Sequence, residues 1–465
     1  MTGLAELTAT ELVAGYEAGE FTPVEATRAV LDAVAARDEA VNAFVLVDEE
    51  RALASAAESA ARWQRGEQRG RADGVPTSVK DIFYTVGWPT LRGTHLIDER
   101  GPWQVDAPAV ARLREAGAVL FGKTTTPEFA WKGVTDSARF GSTGNPWDTA
   151  MTSGGSSGGS ATAVGLGMGP WSIGSDGGGS VRIPASFTGT VTIKPTYGLI
   201  PWWPASPFGT LSHAGPMTRT VTDTAVLLDV MTRFDARDWA AMPTPTRSFL
   251  DGLEDGVSGL RVAYSPTLGY ARNDPEVERL VRAAVDLLAE AGARVEEVDP
   301  GFADPVEAFH VLWFNGAARV LAGYPEEALG QVDPGLVEGI ERWGHGSAAD
   351  YLGATEVRMA MGETMGRFHE TYDVLVTPTM PITAFERGRP APDGWPSQLW
   401  TSWTPYTFPF NMTQQPAASV PCGLTEAGLP VGLQLVGARH RDALVLRAAR
   451  AYERASGERF ARPAP

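Results

Sequence analysis

Three short stretches of the 465-residue chain carry residue types that could do chemistry together. They are Val79-Lys80-Asp81, Gly154-Gly155-Ser156-Ser157-Gly158-Gly159-Ser160 and Asp176-Gly177-Gly178-Gly179-Ser180-Val181-Arg182-Ile183-Pro184. In the last, three glycines before a serine let the backbone turn sharply and expose consecutive N–H groups. Such amides can hold the oxyanion of a tetrahedral intermediate, usually the largest catalytic contribution. Taken alone, the same glycines read equally as an ordinary turn. A serine is a weak nucleophile until a base takes its proton. A lysine can be that base if burial pulls its pKa towards neutrality, because desolvation disfavours the ammonium. Lys80 sits in the largely apolar segment 75–83, although by itself it also reads as a surface lysine paired with Asp81. A lysine and a serine on distant elements often fall short of contact, and the Ser156/Ser157 pair offers a bridging hydroxyl.

Other motifs match chemistry only on paper. Gly117-Ala-Val-Leu-Phe-Gly122-Lys123-Thr124 fits the P-loop pattern. A P-loop, however, needs a strand before its first glycine and a flexible loop after it. Here a helix precedes Gly117 and the intervening residues themselves read as a strand. Gly154-Gly155-Ser156-Ser157-Gly158 fits the nucleophile elbow, which requires a preceding buried strand and a downstream histidine. The residues ahead of it are small and polar, and His213 is the best-placed histidine without being singled out by its surroundings. The six histidines are scattered, with no spacing suited to a metal. Cys422, between Pro421 and Gly423, reads as buried filler.

The elements that must position these groups follow from periodicity. Over the first 70 residues the pattern is helical, with Thr22-Pro23-Val24-Glu25 supplying an N-cap, a first-turn proline and a capping-box glutamate. From Val75 onward short apolar strands alternate with helices. Strands are expected at 79–83, 118–121, 260–264, 295–298, 374–376 and within 421–436. Helices are expected at 107–116, 222–231, from Asp274-Pro275 onward, and at 442–455. Alternation of this kind argues for a mixed, largely parallel sheet covered on both faces. Residues 302–371 are helical with little strand signal and read as a small cap over the sheet. Residues 137–180 are dense in Gly, Ser and Thr.

Composition narrows the partners. The formal charge is 39 − 56 = −17, which repels phosphate backbones and anionic lipid heads. The densest basic stretch, 62–71, is interrupted by Glu67. The opening Met1-Thr2-Gly3-Leu4-Ala5-Glu6 lacks the basic-then-apolar pattern of a signal peptide. No apolar run approaches the roughly 20 residues that span a bilayer. The single cysteine excludes an intrachain disulfide and fits a reducing compartment. A cytoplasmic chain acting on a small molecule is expected, with neither nucleic acid nor membrane as partner.

Taken together, Lys80 behind Gly74-Val75-Pro76, the block 154–160 and the block 176–184 resemble the amidase signature family. So do the serine spacing, 180 − 156 = 24, residues 117–128 and 142–148, Lys194-Pro195-Thr196-Tyr197-Gly198, and residues 411–437. The resemblance covers nearly the whole chain. It implies an α/β/α sandwich around the mixed sheet, with a helical segment at 1–70 packed on a domain at 71–465 and the cap-like insertion at about 302–371. It also implies Ser180 as nucleophile, Ser156 as bridging serine (held by a cis peptide in the family) and Lys80 as base. The amides of Gly177, Gly178, Gly179 and Ser180 would form the oxyanion hole, and Ser157, Asp176 and Arg182 would brace the site. No cofactor or metal is implied.

The family cleaves aryl and alkyl amides, peptide amides, oligoamides and carbamates. The resemblance therefore points to a stand-alone amidase, aryl acylamidase or urethanase working through an acyl-enzyme on rather apolar amides or carbamates. Two alternatives stay open: the glutaminase component of a tRNA-dependent amidotransferase, and, from another class, a P-loop nucleotide-binding protein. Phe129 and Trp131 are expected to line the entrance, while Trp202, Trp203, Trp395, Trp400 and Trp403 either wall a pocket or seal the core. The chain departs from the family at Gly177, where Thr, Ser or Ile is more usual. It departs again at Thr192 and Gln414, which stand where glycine is common. These departures bear on pocket shape.

Overall fold

The computed structural model describes residues 3–457 and 460–463. Met1 and Thr2, which open the stretch read as carrying no leader, lie outside the described residues, as do the last two residues of the 71–465 segment. Helices α1 (Ala9–Ala18), α2 (Pro23–Val41) and α3 (Glu49–Arg65) occupy most of the first 65 residues. At the start of α2 the Thr22 hydroxyl accepts the Glu25 N–H at 3.2 Å, and the Glu25 carboxylate accepts the Thr22 N–H at 2.8 Å. This is the reciprocal capping that the sequence pattern predicts. Strand β1 (Phe44–Val47) breaks the helical run expected over the first 70 residues and pairs with the main sheet. Four apolar residues between two helices are too few to register as a period.

The elements that carry Lys80, Ser156 and Ser180 come next. Strand β2 (Pro76–Lys80), helix α4 (Pro108–Glu115) and strand β3 (Val119–Thr124) form a crossover with parallel strands. A small hairpin of β4 (Asp136–Ser137) and β5 (Gly141–Ser142) follows. Then come α5 (Gly158–Gly165), β6 (Trp171–Asp176), α6 (Arg182–Thr188), β7 (Val191–Lys194), β8 (His213–Thr218) and α7 (Val221–Met231). Neither β6 nor β8 is visible in the sequence pattern. β6, Trp-Ser-Ile-Gly-Ser-Asp, carries small residues because α5 lies against it. A Cβ on Gly174 would fall 2.8 Å from Ser157 Oγ. β8 contains Gly215 and Pro216, both poor strand signals.

The second half contributes β9 (Arg261–Tyr264), α8 (Pro275–Glu290) and β10 (Arg294–Glu297). Three helices without sheet strands follow, α9 (Val306–Leu321), α10 (Pro334–Trp343) and α11 (Ala348–Thr371). The chain then returns through β11 (Val374–Pro378), α12 (Phe408–Met412), β12 (Ala417–Leu424), β13 (Pro430–Gly437) and α13 (Asp442–Ala455).

Among the described residues, eleven strands form one mixed sheet in the order β1-β3-β2-β6-β8-β7-β12-β13-β11-β9-β10. Helices pack on both of its faces, as the alternating pattern predicts. Parallel pairing joins β3, β2 and β6 on one side and β11, β9 and β10 on the other, and antiparallel strands bridge the two blocks. The largest core packs α4, α7, α8 and α13 on one face. A separate aromatic cluster joins α9–α11 to the loop at 400–412. Among the described residues no helix is long and apolar enough to cross a membrane.

Candidate active site

Lys80 closes strand β2 and is fully buried. Its Nζ lies 2.7 Å from Ser156 Oγ, 3.0 Å from Ser157 Oγ and 2.9 Å from Ser175 Oγ. The Ser157 hydroxyl donates to the Ser175 carbonyl at 3.1 Å and accepts the Ser175 N–H at 3.2 Å. Its proton is therefore committed, so towards Lys80 it can only accept. Asp81 does not serve Lys80: its carboxylate pairs with Lys123 Nζ at 2.9 Å. Among the described residues no carboxylate contacts Lys80. Burial drives its pKa well below the ordinary lysine value, opposed by the charge of Asp176.

Ser156 follows a cis Gly155–Ser156 peptide, and Ser157 is the residue before α5. The glycine at 155 is required by close approach, since a Cβ there would sit 2.5 Å from the carbonyl carbon of Val134. Ser180 lies past the end of β6, and its carbonyl accepts the Ser157 N–H at 3.1 Å, which ties the two serine loops together. Ser156 and Ser180 open onto the same cavity. Among the described residues the Ser180 hydroxyl makes no hydrogen bond.

Asp176 ends β6 and is fully buried against Arg182, whose Nε and one terminal nitrogen each donate to it at 3.0 Å. The remaining guanidinium donors reach the Thr407 carbonyl, the Gln434 side chain and Asn411 Oδ1 at 2.9, 2.9 and 2.7 Å. All five donors of Arg182 are thus used. Asn411 in turn donates to the Asp176 carboxylate at 2.8 Å. Despite the burial that opposes it, the Arg182 charge and these bonds hold Asp176 below the ordinary carboxylate range.

The same carboxylate accepts the Gly179 N–H at 2.8 Å. Gly179, expected among the oxyanion donors, therefore spends its amide on Asp176. The amides of Gly177, Gly178 and Ser180 have no partner among the described residues. Thr407 donates to the Gly178 carbonyl at 2.7 Å and orients that peptide. The glycines are needed because α9 and the 400–403 turn press on the loop. A Cβ on Gly177 would lie 2.8 Å from Trp313, and one on Gly178 would lie 2.5 Å from Trp400.

The cavity above these groups holds about 250 Å³. Ser156, Ser175, Asp176, Gly177 and Ser180 form its floor. Phe83, Tyr84, Trp202, Trp203, Phe208 and Trp313 supply aromatic walls, and Arg92 also lines it. Phe129 lines the cavity as expected, but Trp131 does not. Phe129 and Ala130 both have positive φ, 49° and 58°, and the chain turns so that Trp131 packs against Phe314 on α9. Trp202 and Trp203 are walls, whereas Trp395, Trp400 and Trp403 belong to the aromatic cluster shared with α9–α11. Sequence reasoning missed Ser175, Arg92, Thr407, Gln434 and Trp313 as site residues. Only Ser175 carried a signal, as the residue beside Asp176.

The two competing motifs have structural explanations. Lys123 is buried on β3, and its Nζ is consumed by Asp81, Thr90 Oγ1 at 2.6 Å and two carbonyls. It has no hydrogen left for a phosphate. His213 stands on β8 with Nδ1 at 2.7 Å from the Leu211 carbonyl and Nε2 facing the buried Lys194. Burial and Lys194 hold it neutral. Neither ring nitrogen is bonded to a serine.

Comparison with known proteins gives a consistent picture. A family model described as Amidase matches residues 25–446. An acylamidase from Rhodococcus erythropolis is 37% identical over 457 residues, covering 96% of this chain and 95% of that one. A component of the glutamyl-tRNA(Gln) amidotransferase from Myxococcus xanthus is 38% identical over 488 residues, covering 99% of each. Among solved structures, a bacterial aryl acylamidase of the amidase signature family superposes with a TM-score of 0.91 at 30% identity, covering 97% of this chain and 96% of the other.

Proposed function

This chain belongs to the amidase signature family and is an amidase, and from that premise we propose that it cleaves amide C–N bonds through a Ser180 acyl-enzyme, with Ser156 as proton relay and Lys80 as base. One observation carries the reading: the Lys80 amine is fully buried, has no counter-ion among the described residues, and lies 2.7 Å from Ser156 Oγ. A neutral amine has two hydrogens and one lone pair. Ser157 and Ser175 accept the hydrogens, and the lone pair is left for the Ser156 proton.

The reaction follows. As the Ser180 oxygen attacks the substrate carbonyl, its proton passes to Ser156 and the Ser156 proton passes to Lys80. The developing oxyanion rests on the amides of Gly177, Gly178 and Ser180. The protonated relay then delivers a proton to the leaving nitrogen, the C–N bond breaks, and the acyl group stays on Ser180. Water, deprotonated along the same path, attacks the ester and releases the acid. Asp176 and Arg182 act as positioning residues that hold the loop of amides, and Ser157 holds Lys80. The aromatic cavity suits small amides or carbamates with an apolar or aromatic portion, in keeping with the similarity to acylamidases. No cofactor enters any step.

Fluorophosphonate treatment with peptide mapping, run beside p-nitroanilide turnover, tests this. We expect a single adduct on Ser180. An adduct on Ser156 that depends on His213 would overturn it. The amidotransferase relatives favour a second reading, in which this chain works inside a complex. A lone protein that has glutaminase activity but no anilide turnover would support that reading, and a monodisperse protein active on anilides would dismiss it.

A further inference from the structure

Arg92 is the uncompensated charge of the cavity. Asp176, the other charged residue among the described lining, is matched by Arg182. Arg92 stands at φ 53°, in the left-handed region that residues other than glycine seldom enter. One bond holds it directly, its carbonyl accepting the Phe129 N–H at 2.7 Å, and the neighbouring Leu91 N–H donates to the Asp81 carboxylate at 3.2 Å. The backbone thus ties Arg92 to the Phe129 wall and, through Leu91, to Asp81.

The side chain is left without a partner. Its Nε is buried and unsatisfied, and among the described residues the guanidinium forms no ion pair or side-chain hydrogen bond. The ring of Tyr84 stands 5.4 Å from the guanidinium carbon, and Tyr324 lies near enough to feel its charge. A buried donor with nothing to donate to costs free energy. Held in an uncommon backbone conformation in the wall of the cavity onto which Ser180 opens, it points to use by a ligand. A guanidinium matches a carboxylate in geometry and charge better than any other common group.

We propose that Arg92 binds a carboxylate on the substrate, so that the preferred substrates are amides carrying a free acid on the acyl or amine half, with the aromatic walls holding the part between. This rests on the amidase reading above and narrows its substrate class. The acidity of the chain, −17 overall, would otherwise disfavour such anions, and a single cation inside the cavity reverses that locally.

Two matched pairs test it with the full-length protein. Glutaryl-4-nitroanilide against its terminal carboxamide places the acid on the acyl half. N-acetyl-4-aminobenzoate against N-acetyl-4-aminobenzamide places it on the amine half. In one pair we expect kcat/KM for the acid to exceed that of the neutral partner by about tenfold to a hundredfold, as a charged hydrogen bond allows, mostly through KM. Arg92→Gln should erase that preference, bringing the acid-to-neutral ratio of kcat/KM to about one, and Arg92→Lys should restore part of it. The neutral substrates also report whether the variants fold. Equal rates for acid and neutral partners in both pairs, or a preference that survives Arg92→Gln, would overturn the proposal and leave the amidase reading standing. Absence of turnover for every compound would remove the stand-alone reading, and this inference with it.

Discussion

The Asp81 carboxylate lies 2.9 Å from the ammonium of Lys123 and not against Lys80, its neighbour in sequence. Strands β2 and β3 run parallel with Lys80 opposite Thr124 and Val79 opposite Lys123. The counter-ion is thereby given to one lysine and withheld from the other. Lys80 is left as a buried amine among three serine hydroxyls, and its chemistry follows from that.

The first consequence is a pH dependence. Lys80 accepts a proton only when neutral, and burial puts its pKa well below the ordinary value. Activity should therefore rise with pH through that depressed pKa and level off before the unperturbed lysine range near ~10.4. Initial rates on a p-nitroanilide from mildly acidic to alkaline buffer check this. A rate that stays flat far into acid would remove Lys80 as base.

The same shift has a thermodynamic face. Between the depressed folded pKa and the unfolded value near ~10.4, the unfolded chain holds one more proton at Lys80 than the folded chain does. Stability should rise with pH across that window. Lys80→Met keeps the volume and removes the titration. We expect a shallower dependence of the denaturation midpoint on pH, no loss of stability at neutral pH, and no activity.

Each reacting side chain should be separately indispensable. Ser180→Ala should abolish fluorophosphonate labelling. Ser156→Ala and Lys80→Ala should each lower kcat by about 10⁴- to 10⁶-fold, the range in which units of this kind fail when one member is lost. Circular dichroism and thermal melts should show all three folded. Near-wild-type turnover in Ser156→Ala would mean that Lys80 reaches Ser180 without the relay.

Asp176→Ala should act chiefly on stability. It would leave the Arg182 guanidinium buried with no counter-charge and free the Gly179 amide that it now holds. Breaking a buried pair on one side costs about 3–5 kcal/mol, measurable by urea unfolding. A loss below about 1 kcal/mol would show that Asn411, Gln434 and the Thr407 carbonyl hold Arg182 by themselves.

His310 on α9, bonded to Thr401, offers a second titration. Burial pushes its pKa down to about 4, so in falling from about pH 6.5 to about 4 the unfolded chain gains a proton that the folded one refuses. Stability should decline across that interval. His310→Gln, which can still bond Thr401, should decline less steeply in melts taken at successive pH values.

Much of the site was written locally. The glycines and serines of 154–160 and 176–180, Lys80 in its apolar segment, and caps such as Thr22–Glu25 lie within a few residues of the features they create. Backbone freedom, small side chains and capping are all short-range effects, and sequence alone determined them. Only the tertiary structure decided the rest. It assigned Asp81 to Lys123 through strand register, and it committed the Gly179 amide to a carboxylate. It also completed the donors of Arg182 with Asn411 and Gln434, more than 220 residues away. Strand β6 stayed hidden because packing against α5 selects the same small residues that a loop would. Whether a lysine is a base or a surface charge, and whether Arg92 is paired or free, depends on burial and on partners brought from distant segments. Electrostatics in a folded interior acts through space, and the order of residues along the chain does not carry it.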